Sequence, residues 1–277
     1  MSAPIEIDIP NKTEGVFYDM DIREYHNHKG LSSTQFQDLN LSVAIYENRH
    51  LFKYESEAFN VGNLNHTALL EPHLLDEYIE TTTQSFNTTE TKRLMEHYVN
   101  KIVVPKGSTE IAKERAKKVM IVYKDEVNLS MKEVSFIVFD ESIGLYRKAR
   151  ADMWLPNQGI VLDYKTSKET TPEAFRKKSI PSFNYDLSAA WYMDTINMTI
   201  EKFNLPYPKI TQFGWIVSPN YMPYKPYGGA AGPSIIEKGR SKYTQLLDKY
   251  ISVKFQGGRD EKFKSWETDE YIKNMGD

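Results

Sequence analysis

The stretch from Leu145 to Ser167 constrains this chain more than any other, because it reads as two consecutive strands that bring charged residues onto one face. From Leu145 to Trp154, small or apolar residues (Leu145, Ala149, Ala151) alternate with polar ones (Lys148, Arg150, Asp152). That period of two is the mark of a strand with one face toward a polar cleft, so Lys148, Arg150 and Asp152 share a face. Pro156, Asn157, Gln158 and Gly159 form a turn cluster, and Ile160, Val161 and Leu162 then make a short apolar run suited to a buried strand. Asp163 and Lys165 end that run, two apart on an extended chain and therefore pointing the same way, roughly 6 to 7 Å from each other. If the two strands pair, Asp152 and Asp163 meet across the ladder, where their carboxylates repel unless something positive sits between them. A divalent cation is the natural partner. Mg²⁺ needs only one or two carboxylates together with the phosphate oxygens of a substrate. A lysine beside such an ion can orient an attacking water and offset charge on a phosphate.

An acidic residue, any residue and lysine also occur as Glu90-Thr91-Lys92 and Asp260-Glu261-Lys262, so the triplet alone carries little. Asp163-Tyr164-Lys165 differs in following an apolar run and an upstream aspartate on an expected strand. From these residues by themselves, two readings stand side by side: a metal site, or a cross-strand ion pair near a strand end.

At these positions the sequence resembles the PD-(D/E)xK nucleases, and among them the nuclease domains of exonuclease VIII (RecE) and its phage-borne relatives. Arg147-Lys148-Ala149-Arg150-Ala151-Asp152 is similar to the family's K-x-R-P-D strand, and Leu162-Asp163-Tyr164-Lys165-Thr166 to its D-x-K-T strand. Gly62 to Pro72, with His66, Leu70 and Glu71, resembles a G-x-x-x-H-x-x-x-L-E-P helix, and Lys132 to Ser135 a strand carrying a metal-binding glutamate. The resemblance runs from about Tyr25 to Tyr250. It implies a restriction-endonuclease-like α/β core with a mixed central sheet flanked by helices. It also implies a Mg²⁺ site, with Mn²⁺ as substitute, made by Asp152, Asp163, the Tyr164 carbonyl, Glu133 and His66, with Lys165 as the catalytic ammonium. Ser32 or Ser33, at the start of the opening helix, would receive a terminal DNA phosphate. Lys148, Arg150 and Tyr192 would face DNA. Two departures stand out: Ala151 replaces the usual proline, and Ser188 replaces the glutamine of a Q-A-A-x-Y helix, where its shorter side chain would reach the site only through water.

The activity implied is a Mg²⁺-dependent exodeoxyribonuclease, digesting linear double-stranded DNA from 5′ ends and leaving 3′ single strands for recombination. A ring-shaped homo-oligomer and a single-strand annealing protein as partner follow from the likeness alone. Two other functions remain open. One is a DNA-end binding module of the same fold with weak cleavage, which Ser188 favours; the other is a structure-specific endonuclease.

Composition narrows the field further. The chain has no cysteine, which removes thiol nucleophiles, disulfides, cysteine-based zinc sites and iron-sulfur clusters. Its net charge of −3 means that any grip on DNA comes from a local basic channel rather than from an overall positive surface. With 277 residues, 40% of them hydrophobic, the chain can bury a substantial core. No apolar run is long enough to span a membrane and residues 1–10 lack a secretory pattern, so a cytoplasmic address is expected. The expected organisation is a loose arm over 1–24, one domain over 25–255 and a charged tail over 256–277 anchored by Trp266.

Apolar positions Phe36, Leu39, Val43 and Tyr46 predict a helix after Ser33. Further helices are expected over 61–75, 88–99, 109–125, 183–198 and 240–251, with another opened by Thr171 and Pro172. Strands are expected over 133–139 and 212–218. Residues 219–233 are too rich in Pro, Gly and Tyr for regular structure, although Tyr221, Tyr224, Lys225 and Tyr227 would suit base stacking.

Overall fold

The two strands around Asp152 and Asp163 form and pair, and they lie in the middle of a six-stranded sheet. The computed structural model describes residues 13–51, 56–86 and 88–255. Its strands are β1 (Gly15–Phe17), β2 (Tyr78–Glu80), β3 (Ile102–Val104), β4 (Met131–Asp140), β5 (Leu145–Leu155), β6 (Ile160–Ser167), β7 (Gln212–Pro219) and β8 (Tyr227–Ala230). The main sheet runs β1-β4-β5-β6-β7-β8, with β6 and β7 parallel and the other neighbours antiparallel. Strands β2 and β3 form a small parallel pair apart from it.

The helices are α1 (Ile22–Asn27), α2 (Phe36–Leu41), α3 (Val43–Glu47), α4 (Glu57–Leu70), α5 (Thr89–His97), α6 (Ser108–Val122), α7 (Lys124–Leu129), α8 (Pro172–Ala174), α9 (Ile180–Ser182), α10 (Tyr185–Lys202) and α11 (Pro233–Phe255). A central strand exposes apolar side chains on both faces and needs cover on both. One cover comes from α2, α3, α10 and α11, whose Phe36, Leu39, Val43, Trp191 and Leu247 pack with Phe136, Trp154 and Phe213. The other comes from α4 and α6, whose Leu64, Ala68, Ala116 and Val119 pack with Met153, Tyr164 and Ile216. This is the expected α/β architecture of a mixed sheet between helical layers.

Two glycines permit this arrangement. Gly159 closes the turn between β5 and β6 at φ 63°, a left-handed conformation that glycine adopts without penalty. Gly239 sits inside α11 where that helix crosses α10, and a Cβ there would overlap the Asp186 carbonyl.

Several elements differ from expectation for identifiable reasons. The single helix expected across 33–46 breaks into α2 and α3 because Ser42 is extended at φ −162° and its Oγ accepts from Ile45 N at 3.0 Å, capping a new helix. Its four predicted apolar positions are nevertheless all buried. The helix expected over 61–75 stops at Leu70, because Pro72 cannot supply a backbone donor, and a 3₁₀ segment (Pro72–Glu77) follows. The arm expected over 1–24 is no arm in its described part: β1 adds an edge strand to β4, with Val16 opposite Phe136. In the segment expected to be irregular, β8 pairs with β7 through Tyr227, Gly228, Gly229 and Ala230. The 256–277 tail with Trp266, and Asp260 to Lys262 within it, lie outside the described residues.

Candidate metal centre and cleft

The sheet register lines up three carboxylates across three adjacent strands. Lys132 pairs with Met153 and Val134 with Ala151, which sets Glu133 opposite Asp152. Met153 pairs with Leu162, and one step further Asp152 faces Asp163. The β5–β6 ladder stops there, and Tyr164 N donates instead to Asp152 Oδ2 at 2.8 Å. Glu133 leaves the β region altogether, at φ 54°. A non-glycine residue held there costs on the order of 1–3 kcal/mol, and such outliers gather at functional sites. Arg150 Nε, 2.7 Å from Glu133 Oε2, holds the displaced carboxylate in place.

His66 completes the group from α4. Its Nδ1 lies 3.2 Å from Asp152 Oδ2, and ligand atoms of His66, Glu133 and Asp152 all fall within 4.8 Å of one another. Asp163 stands outside that trio, with its Oδ2 2.6 Å from Lys165 Nζ, and Lys165 Nζ is also 3.4 Å from the Tyr164 carbonyl. Apart from the ammonium contact, Asp163 Oδ2 is buried without a hydrogen-bond donor among the described residues.

Electrostatics make this a site under tension. Burial raises the Asp163 carboxyl to about 6, with Lys165 opposing the rise and Asp152 adding to it. Burial likewise lifts Asp152. Glu133 is pushed to about 8 by burial and then by Asp152. Burial works against the Lys165 ammonium, but Asp163 and Asp152 outweigh it and raise its pKa. His66 is lowered to about 4 by desolvation and then by Lys165, which leaves a neutral imidazole able to ligate. Crowded buried carboxylates and a neutral imidazole are a donor set that fits a divalent cation.

The site opens onto a cleft of about 880 Å³ between β6, α2, α10 and α11, with Asp163, Lys165, Ser33, Tyr185, Ser188 and Tyr192 in its lining. On the other side, Glu133 and Arg150 line a second hollow of about 520 Å³ beside α1. Ser188 and Tyr192 therefore face the cleft, one helical turn apart on α10. Ser33 is buried and hydrogen-bonded to Tyr192. Ser32 is occupied locally: its N–H donates to Gln35 Oε1 at 3.0 Å and its hydroxyl lies 3.1 Å from Thr34 Oγ1.

Lys148 and Arg150 need correction as DNA-facing cations. Lys148 is 1% exposed and its ammonium donates to the carbonyls of Tyr25, His26 and His28, at 2.7, 3.2 and 2.8 Å. Arg150 is spent on Glu133, on the Met20 carbonyl at 2.6 Å and on Ser135 Oγ at 3.2 Å. In the 219–233 segment, Tyr224 packs under Arg115 and Tyr227 donates to the Glu169 carbonyl, so those rings are engaged in packing. Sequence reasoning missed Tyr185, whose ring lies 5.4 Å from Lys165 Nζ. The only signal for it was its position ahead of the α10 apolar stripe.

No curated protein matches this chain. Among solved structures, that of a protein named "Putative exonuclease" from Eubacterium rectale superposes with a TM-score of 0.58. The two share 13% identity over 92% of this chain and 93% of the other, a likeness of fold. Residues 32–260 match the family described as PDDEXK-like domain of unknown function. That span holds the carboxylate row, His66, Lys165 and the whole cleft, and so the chain belongs to this PDDEXK-like, nuclease-related family.

Proposed function

We propose that the chain is a divalent-metal-dependent deoxyribonuclease, an exonuclease that takes linear double-stranded DNA at an end, degrades it 5′ to 3′ and leaves a 3′ single strand for recombination. The observation that carries this reading is the row Glu133, Asp152 and Asp163 across β4, β5 and β6, flanked by His66 and Lys165, which opens at Asp163 and Lys165 onto a cleft large enough for a nucleic-acid strand. Membership of the PDDEXK-like family and the exonuclease named for the similar fold support it. The polarity, a ring-shaped homo-oligomer and an annealing protein as partner rest on the resemblance to exonuclease VIII.

Asp152, Asp163, the Tyr164 carbonyl, Glu133 and His66 would hold Mg²⁺ or Mn²⁺. The ion would supply positive charge against the phosphate oxygens and acidify a bound water. Lys165 orients the attacking water for in-line displacement and offsets charge that develops on the phosphate. Asp163 keeps that ammonium charged and aimed, as their 2.6 Å contact indicates. The Tyr164 N–H donates to Asp152 Oδ2 and so restrains the orientation of that carboxylate.

The test is digestion of linear and covalently closed circular plasmid with Mg²⁺ or Mn²⁺. An exonuclease consumes the linear form and spares the closed circle, whereas nicking of the circle would establish the endonuclease instead. Ser188 in the cleft favours a second reading, an end-binding module with little cleavage. Retardation of linear DNA in gels without metal-dependent degradation would select it.

A further inference from the structure

We propose that Phe183 and Tyr185 form a stacking platform for an unpaired nucleobase of the strand whose phosphate sits at Lys165, so that the enzyme engages frayed or single-stranded ends in preference to blunt ones. The proposal rests on the nuclease reading and adds a specificity determinant to the same cleft.

Three rings stand in file behind the reactive ammonium. Phe175, buried, stacks on Tyr185 at 5.8 Å between centroids and 26° between planes. Tyr185 in turn stacks with Phe183 at 5.5 Å and 29°. Lys165 Nζ lies over the Tyr185 ring at 5.4 Å, so Phe183 is no more than two ring-to-ring steps from the group that would meet the scissile phosphate. Phe183 is 53% exposed and, with Tyr185, lines the cleft that also contains Asp163 and Lys165. An exposed aromatic alone needs no explanation. One that ends a stack rising from the core past a cation on its middle ring presents a flat face suited to another ring.

The mount is rigid and unusual. Asn184, which precedes α10, is left-handed at φ 53° and ψ 37°, where helix-capping residues are normally extended. Asparagine tolerates that region better than most residues. Lys242 on α11 locks it, donating to Asn184 Oδ1 at 3.0 Å and to Asp186 Oδ1 at 2.9 Å. The bend separates Phe183 from the buried side of α10 and leaves its ring in the cleft. Leu41 is also exposed along this cleft, but Phe183 is the one exposed aromatic among its described lining residues; Tyr221, exposed elsewhere, lines no part of it.

The experiment measures binding of the full chain, in Ca²⁺, to a duplex with a short unpaired 5′ end and to the same duplex with abasic sites in that end. Wild type is expected to bind the base-bearing end about tenfold more tightly, in line with aromatic–base stacking. Phe183→Ala, with an unchanged melting temperature, should lose that preference, and Phe183→Trp should keep it. Equal affinity of wild type for the two DNAs, or a preference that survives in Phe183→Ala, would overturn the platform while leaving the nuclease reading intact. Failure to bind any DNA would overturn both.

Discussion

Removing the Lys165 ammonium would leave Asp163 buried beside Asp152 without its paired cation. Breaking a buried pair in this way costs about 3 kcal/mol or more. Lys165→Ala should therefore melt cooperatively but lower in chelator, recover on addition of Mg²⁺, and cleave linear DNA at least about a hundredfold more slowly. Asp163→Asn should lose cleavage to a similar extent, and gel assays with thermal melts check both variants. Lys148 offers the contrast. Lys148→Met should cost about 3 kcal/mol in urea unfolding, because three buried carbonyls lose a charged donor, and should leave DNA affinity unchanged. The pH response follows from the same carboxylates. Glu133, raised from 4.5 to about 8, and Asp163, raised from 3.8 to about 6, keep protons in the folded state that the unfolded chain has released. Stability without metal thus falls as pH rises through those windows. His66, lowered from 6.5 to about 4, opposes this only below pH 6.5, and Lys148, lowered to about 8, enters only above that value. Between pH 6.5 and 8 the Glu133 contribution should dominate, so metal-free melting temperature drops over that range and Mg²⁺ restores more at pH 8 than at 6.5. At this scale spacing singled out Asp152, Asp163 and Lys165 but left a metal site and an ion pair equally open, and the resemblance to the nuclease family chose between them. It could not reveal the burial of Lys148, because alternation assigns a face without saying what covers it.

Elements follow from local chemistry wherever that chemistry is strong. Thr171 with Pro172 marked a helix start, and Thr171 Oγ1 accepts from Ala174 N at 3.2 Å as the pattern required. Leu187, Ala190 and Trp191 lie inward on α10, at the i, i+3, i+4 spacing of an apolar helical stripe. Boundaries failed where a side chain competes with the backbone, as Ser42 does, or where pairing is nonlocal, as for β1 against β4. Gly239 was equally silent in the sequence, since a glycine inside a helical pattern does not say what approaches it. Gly239→Ala should improve intrinsic helix propensity by up to about 1 kcal/mol. The added methyl would nevertheless overlap backbone that cannot step aside, the Asp186 carbonyl, so net destabilisation of about 1–3 kcal/mol is expected in urea unfolding.

Across the whole molecule, the sheet acts as the frame on which distant segments meet. His66 on α4 and Glu133 on β4, Asp152 on β5 and Lys165 on β6 come from one helical cover and three strands of the sheet and converge where the β5–β6 ladder stops. A net charge of −3 is compatible with DNA binding because the acidic residues at this centre are to be offset by metal, while Lys165 and Lys242 lie in the cleft. The central claim is that Asp152 and Asp163 share one hard ion. Crystals grown with Mn²⁺ and measured for anomalous scattering test it most directly. The account predicts a single strong peak bridging the Asp152 and Asp163 carboxylates, with His66 or Glu133 in its coordination shell. A peak remote from both aspartates, with those side chains turned to opposite faces of the sheet, would contradict it.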